Sequence, residues 1–276
     1  MRSFKLINKD GETYDLTVKD RAFFHTVSGL GYEKSIDYIR VQNTYTATSN
    51  FFEMGEVEGN VYFGGSGNIN DYFAFAKFCQ NEPLKLVYNP GNNTVFSRDG
   101  FIARIEKSDG DNPKSCKVRF QCITPWYKKV AVYNDGHITD GKVYDYSYNY
   151  TYSDTIAGSV RINSDSYMSS PAKLIIYGAV TNPTWSQYVN GKKVLEGKVY
   201  ATIVANHKLV IDTTTNPYSI KEYDMANNLI ADRYQQSDWN TTRFITIEHG
   251  ENIINASAGG AYINLGVEAQ IQYATV

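Results

Sequence analysis

The run NINDYFAFAKFCQN (Asn68 to Asn81) repeats its apolar residues at helical spacing through several turns, and no other segment of the chain does so. Ile69, Tyr72, Phe73, Ala76 and Cys79 fall on one stripe, while Asn70, Asp71, Lys77 and Gln80 are placed to meet water. Asn68 suits the helix start, Asp71 places negative charge in the first turn, and Pro83 stops the helix after Glu82. The spacing predicts a rod over about 69–82, roughly 20 Å long, enough to close one end or face of a β-sandwich. Phe75 and Phe78 extend the apolar surface beyond one face. Tyr72, Phe75 and Phe78 are therefore expected to be covered from two sides, by the chain's own sheet and by a neighbouring subunit.

Around the helix the period changes to two. Val57, Gly59, Val61 and Phe63 alternate with Glu56, Glu58, Asn60 and Tyr62, so one face of that strand is apolar and the other begins acidic. Leu84 to Tyr88, Phe101 to Lys107 and Lys117 to Thr124 read as further strands. Upstream, residues 4 to 7 and 12 to 18 flank Asp10-Gly11, a hairpin signal, and Ile36 to Thr48 supplies β-branched residues without a helical period.

These segments, GNVYFGG (Gly59 to Gly65), the helix, EPLKLVYNP (Glu82 to Pro90), GFIARIEKSDGD (Gly100 to Asp111) and KVRFQCITPWYK (Lys117 to Lys128), together resemble the N-terminal domain of the siphophage distal tail protein family. Downstream, GAVTNPTWSQYVNGK (Gly178 to Lys192), LVIDT (Leu209 to Thr213) and RFITIEHGENII (Arg243 to Ile254) are similar to that family's galectin-like C-terminal domain. The resemblance implies a virion protein of the tail tip or baseplate, made in the host bacterial cytoplasm. It further implies a homo-hexameric ring between tail tube and baseplate or tip, contacting the tail tube protein and the tail-associated hub or tip proteins. DNA would pass through the central channel without specific binding.

With 276 residues the chain is long for one core, and two domains are expected, 1–129 and 130–276. The fold class is mainly β: two β-sandwiches, the first with the single helix, the second a galectin-like jelly roll. In that second part Ser159 to Asn163, Ala172 to Tyr177, Lys198 to Ala205, His207 to Thr213, Ser219 to Tyr223, Asn228 to Tyr234, Arg243 to His249 and Tyr262 to Val276 read as short strands between Gly, Asn, Asp and Pro turns. Lys plus Arg total 27 against 29 Asp plus Glu, so no basic field attracts nucleic acid or an anionic membrane. A wall that passes DNA without holding it needs like charge or neutral polar groups, and Glu56 and Glu58 are the candidates for it.

The three cysteines read as buried free thiols, since Cys116 and Cys122 share a strand face about 20 Å long and cannot bridge each other. MRSFKLINKDGETYDL at the start has no apolar core of a secretion signal, and the expectation is a protein neither exported that way nor inserted in a membrane.

No reaction centre emerges. His25, His137, His207 and His249 lack metal-ligand spacing, and Asp109, Asp111 and Asn112 miss the Gly and Glu of a calcium loop. Gly64-Gly65-Ser66-Gly67 precedes the helix without the Lys-Ser/Thr of a phosphate loop. Carboxylate pairs such as Glu56 with Glu58, or Asp238 beside Trp239, give a hydrolase little support, so neither enzyme activity, cofactor nor metal is expected. The rival reading is a carbohydrate-binding module contacting host cell-wall saccharide. Tyr144, Tyr146, Tyr148, Tyr150 and Tyr152 occupy every second position, a ladder for sugar or for packing, and Trp185 or Trp239 would complete such a site.

Overall fold

The computed structural model describes residues 2–18, 21–64, 69–92, 94–107, 115–134, 142–143, 151–152 and 158–276. Its contacts divide into two compact units, Met1–Lys128 with Tyr273–Val276, and Lys129–Gln272. Both are antiparallel β-sandwiches, and the described part of the chain has a single α-helix.

In the first unit, β1 (Ser3–Ile7) and β2 (Thr13–Asp15) form the hairpin signalled by Asp10-Gly11, with Gly11 at φ 83. β3 (Thr17–Val18), β4 (Ala22–Ser28), β5 (Lys34–Val41), β6 (Thr44–Phe52) and β7 (Glu56–Phe63) lead to α1 (Ile69–Cys79). β8 (Leu84–Asn89), β9 (Phe96–Lys107), β10 (Ser115–Cys122) and β11 (Trp126–Asn134) follow. One layer runs β2-β1-β8-β9 and the other β9-β10-β7-β4-β3, so β9 serves both. The change of layer falls at Gly100, which pairs with Leu84 on one side and Cys122 on the other. A Cβ there would stand 2.2 Å from the Gln121 carbonyl oxygen, so only glycine lets the strands approach this closely.

Between the layers lie Phe4, Phe24, Val57, Val61, Phe63, Leu84, Leu86, Val118, Phe120 and Trp126. The alternation expected for β7 and β10 holds residue by residue, and Cys79, Cys116 and Cys122 are buried free thiols. The helix is shorter than its expected span. After Cys79 the chain tightens into i→i−3 bonds from Gln80 and Asn81, and the Asn81 carbonyl accepts from the Lys9 amide at 3.2 Å. Asn81 Nδ2 also donates to Asp10 at 2.7 Å, so the β1–β2 turn takes the groups a further turn of helix would need.

In the second unit come the short β12 (Lys142–Val143) and β13 (Thr151–Tyr152), β14 (Ser159–Ser164), β15 (Ser170–Tyr177), β16 (Val180–Thr181), β17 (Thr184–Val189), β18 (Lys192–Lys198) and β19 (Thr202–Ile203). β20 (His207–Asp212), β21 (Ser219–Asp224), β22 (Leu229–Asp232), β23 (Thr246–Ile247), β24 (Gly250–Ala258), β25 (Ala261–Tyr262) and β26 (Leu265–Tyr273) complete it. One layer is β22-β21-β20-β15-β26 and the other β14-β24-β17-β18, with the chain crossing repeatedly between them as in a jelly roll. Asn190-Gly191 makes the tight turn between β17 and β18, both residues at positive φ.

One expected strand needs correction here, and two strands were not anticipated. The strand read over Lys198 to Ala205 is instead β18, ending at Lys198, and the two-residue β19. Neither β17 nor β24, a central strand, was expected. Their inward positions include Gln187 and Asn252, which satisfy each other at 3.1 Å and so can be buried despite being polar.

Candidate assembly and ligand surfaces

β5 and β6 pair with each other along their whole length and, among the described residues, with no other strand. Their turn is Gln42-Asn43, with Gln42 at φ 55. Such a two-stranded arm has little stability of its own, yet Ile36, Tyr38, Ile39, Val41, Tyr45 and Phe51 all stand exposed, Tyr45 by 70%. At its base Tyr32 packs edge-on to Phe52 at 5.3 Å and the Lys34 ammonium lies over the Phe52 ring at 4.5 Å, contacts that join the two ends of the arm to each other. Beyond that base the apolar side chains stay exposed, with no cover from the described residues of their own sandwich.

Of the helix residues expected at a subunit interface, Phe75 is fully buried, packed against Tyr14 at 5.2 Å and Phe63 at 5.8 Å. It has no surface to offer a neighbour. Tyr72 and Phe78 are half-buried, and the exposed ring is Phe73, at 55%. The core-facing stripe is thus Tyr72, Phe75, Phe78 and Cys79 rather than the one through Phe73. With aromatic residues around most of the circumference, the periodicity admitted both.

Glu56 and Glu58 project from the polar face of β7 and meet cations of the adjacent β10. Glu58 lies 2.6 Å from Arg119 and 3.3 Å from Lys117, and Glu56 lies 3.3 Å from Arg119. Hydrogen bonds from Arg119 and Lys117 hold the Glu58 carboxyl below its ordinary range. The four side chains therefore sum to zero charge, a mixed surface rather than an acidic one.

Tyr144, Tyr146, Tyr148 and Tyr150 lie outside the described residues, as does the side chain of Tyr152, and so do Asp109, Asp111, Asn112 and His137. Trp185 is buried, its indole N–H donating to the Arg243 carbonyl at 2.9 Å. Trp239 is exposed, with the Arg243 guanidinium 4.4 Å from its ring centre. His207 is bound to Glu222 at 2.6 Å, and His249 stacks on Tyr167 at 4.0 Å. Among the described residues no three His, Cys, Asp or Glu side chains group as metal ligands, and no helix is long and apolar enough to cross a membrane.

The second unit also carries an open cleft of about 850 Å³ on the layer containing β20, β21 and β22, with Tyr218, Tyr234 and Phe244 among its walls. No pattern in the sequence pointed to it, because its residues come from three separated segments, 212–223, 232–235 and Phe244.

This order of two β-sandwiches recurs in solved bacteriophage baseplate and hub proteins. Over 100% of both chains the structure is similar to a chain of the phage p2 baseplate in its activated conformation with calcium, at TM-score 0.64 and 17% identity. The strontium form of that baseplate gives TM-score 0.63 with the same identity and coverage. The Dit protein of phage SPP1, described as a paradigm of the hub adsorption apparatus in phages infecting Gram-positive bacteria, matches at TM-score 0.63 and 12% identity, over 98% of this chain and 99% of that one. No curated protein matches the chain. Residues 3–123 match the family model described as the distal tail protein, N-terminal domain, so the first part of the chain carries that domain.

Proposed function

We propose that the chain forms a closed hexameric hub ring between the tail tube and the baseplate or tip, with a central channel for DNA. The observation that carries this reading is the β5–β6 arm, an apolar surface left uncovered by its own sandwich. A closed ring needs two different complementary patches on each subunit, one of them presented to the next copy. The arm supplies one patch, and Tyr72, Phe73 and Phe78 on α1 supply apolar surface for the other. The number six comes from the family resemblance. Partners along the tail axis are the tail tube protein and the tail-associated hub or tip proteins, and the domains 1–129 and 130–276 divide the work between ring and periphery.

Glu56 and Glu58 suit the channel wall in a modified sense. Paired with Lys117 and Arg119, they present a polar surface without net charge, which neither attracts nor strongly repels a phosphate backbone. Changing both to Lys would set four cations on adjoining strands. An assembled ring that still delivered DNA normally would remove them from the wall.

The test of the ring is mass and shape. Light scattering and electron microscopy of the purified chain should show a six-fold particle with a central hole, and Ile39→Asp with Tyr45→Asp should give folded smaller species. A monomer at every concentration, or undiminished rings from the double variant, would overturn the reading.

A further inference from the structure

The cleft on the second unit is walled by rings already fixed in place. Tyr218 packs on Phe244 with centroids 5.2 Å apart, Phe244 on Tyr234 at 6.1 Å, and Tyr234 on Trp239 at 5.2 Å. Arg243 is outside the cleft lining but holds the array, its guanidinium 5.5 Å from Tyr234, 4.4 Å from Trp239 and 5.4 Å from Phe244. Tyr218 nevertheless keeps 48% of its surface exposed. A ring held this way meets a ligand with little conformational entropy left to lose.

Beside the rings are the exposed amides of Asn216 and Gln235 and the half-buried ammonium of Lys221. The same wall includes Asp212 and Asp232. Asp212 is paired with Lys173 at 3.4 Å, which leaves Asp232 against Lys221 and no net positive charge in the lining to draw phosphate or other anions. A wholly apolar ligand would leave the amides and the ammonium without hydrogen-bond partners. Flat aromatic faces for C–H surfaces, with amide and charged groups at their margin for hydroxyls, match one ligand class. The volume falls within the roughly 300–1,000 Å³ usual for sites that take small ligands.

We propose that this cleft binds a pyranose glycan, with Tyr218 as the stacking platform and Asn216, Lys221 and Gln235 as hydroxyl partners. The proposal does not rest on the ring reading, since every residue named belongs to one unit of one chain. It also moves the saccharide site away from the tyrosine ladder and from Trp185.

The full chain is applied to an array of pyranose oligosaccharides that includes chitotriose, maltotriose and lactose, and the sugar retained best is titrated by tryptophan fluorescence. Wild type should retain at least one, Tyr218→Ala should bind it about tenfold more weakly, and Tyr167→Ala, outside the cleft, should match wild type. A melting midpoint for each variant checks the fold, and if Tyr218→Ala melts early, Lys221→Ala decides in its place by the same tenfold criterion. Silence of the wild type across the array, or equal affinity in the cleft variant, overturns the proposal. Binding lost while rings persist sinks the cleft alone, whereas binding kept by a chain that never forms rings sinks the hub reading alone.

Discussion

Arg233 grips one oxygen of Glu222 with two nitrogens, Nε at 2.8 Å and Nη2 at 2.6 Å, on the inward side of an edge of the second sandwich. The other oxygen is held by His207 Nδ1 at 2.6 Å. The carboxylate is almost wholly shielded from water, so removing its charge or its partners leaves buried donors unanswered.

Glu222→Gln should therefore cost about 2–3 kcal/mol, somewhat below the range for fully buried pairs because Arg233 and His207 keep some solvent contact. Burial on its own would raise the Glu222 carboxyl, but the bonds from His207 and Arg233 outweigh it and set the group below its ordinary 4.5. A lowered carboxyl stabilises the fold above its unfolded value, and that contribution is lost as pH falls through the folded one. Thermal melts from pH 7 downward should show wild type losing stability below about pH 4.5, with a shallower decline in Glu222→Gln. Parallel curves would show that this site does not set the acid limit.

Phe75→Ala should destabilise the first unit by about 3–5 kcal/mol, since a ring in a fully buried site leaves a cavity. Phe73→Ala, two residues away on the exposed face, should change stability by no more than about 0.5 kcal/mol. Urea unfolding of both variants distinguishes this helix orientation from the one in which Phe73 faces the core. The reverse order of effects would rotate α1.

At Gly100 an added methyl group meets the Gln121 carbonyl and the Phe120 ring together, and backbone cannot yield as a flexible side chain can. Gly100→Ala is expected to lower stability by about 1–3 kcal/mol or more, through separation of β9 from β10. A circular-dichroism melt indistinguishable from wild type would mean that β9 changes layer elsewhere.

The three thiols should be inert in the native protein. Burial pushes Cys79 and Cys116 up to about 12 and Cys122 to about 11, so the reactive thiolate is scarce at pH 8. Native protein mixed with a disulfide reagent at that pH should label with the slow kinetics of unfolding, and denatured protein should label at once. Prompt stoichiometric labelling of the native chain would place at least one thiol at the surface.

Much of the first sandwich was legible because its strands alternate cleanly, as in Val57 to Phe63 and Cys116 to Cys122, where period two has one reading. The β5–β6 arm was less so. Its turn, Gln42-Asn43, lacks the Asn-Gly or Asp-Gly signal, and its apolar residues occupy both faces because no sandwich covers either. β17 and β24 were missed because Gln187 and Asn252 break the apolar rhythm at buried positions, and the hydrogen bond that licenses them joins residues 65 apart.

From the order of its residues alone this chain is committed to antiparallel strands, to one helix and to buried thiols, and it resembles a tail protein family. Each of those depends on neighbours along the chain, whose spacing fixes period and turn. Which side of α1 meets the core, how Glu56 and Glu58 are neutralised, and where Tyr218, Tyr234 and Phe244 converge were settled by folding. Those outcomes depend on contacts between distant segments, and local periodicity carries no information about which distant side chain will be waiting there.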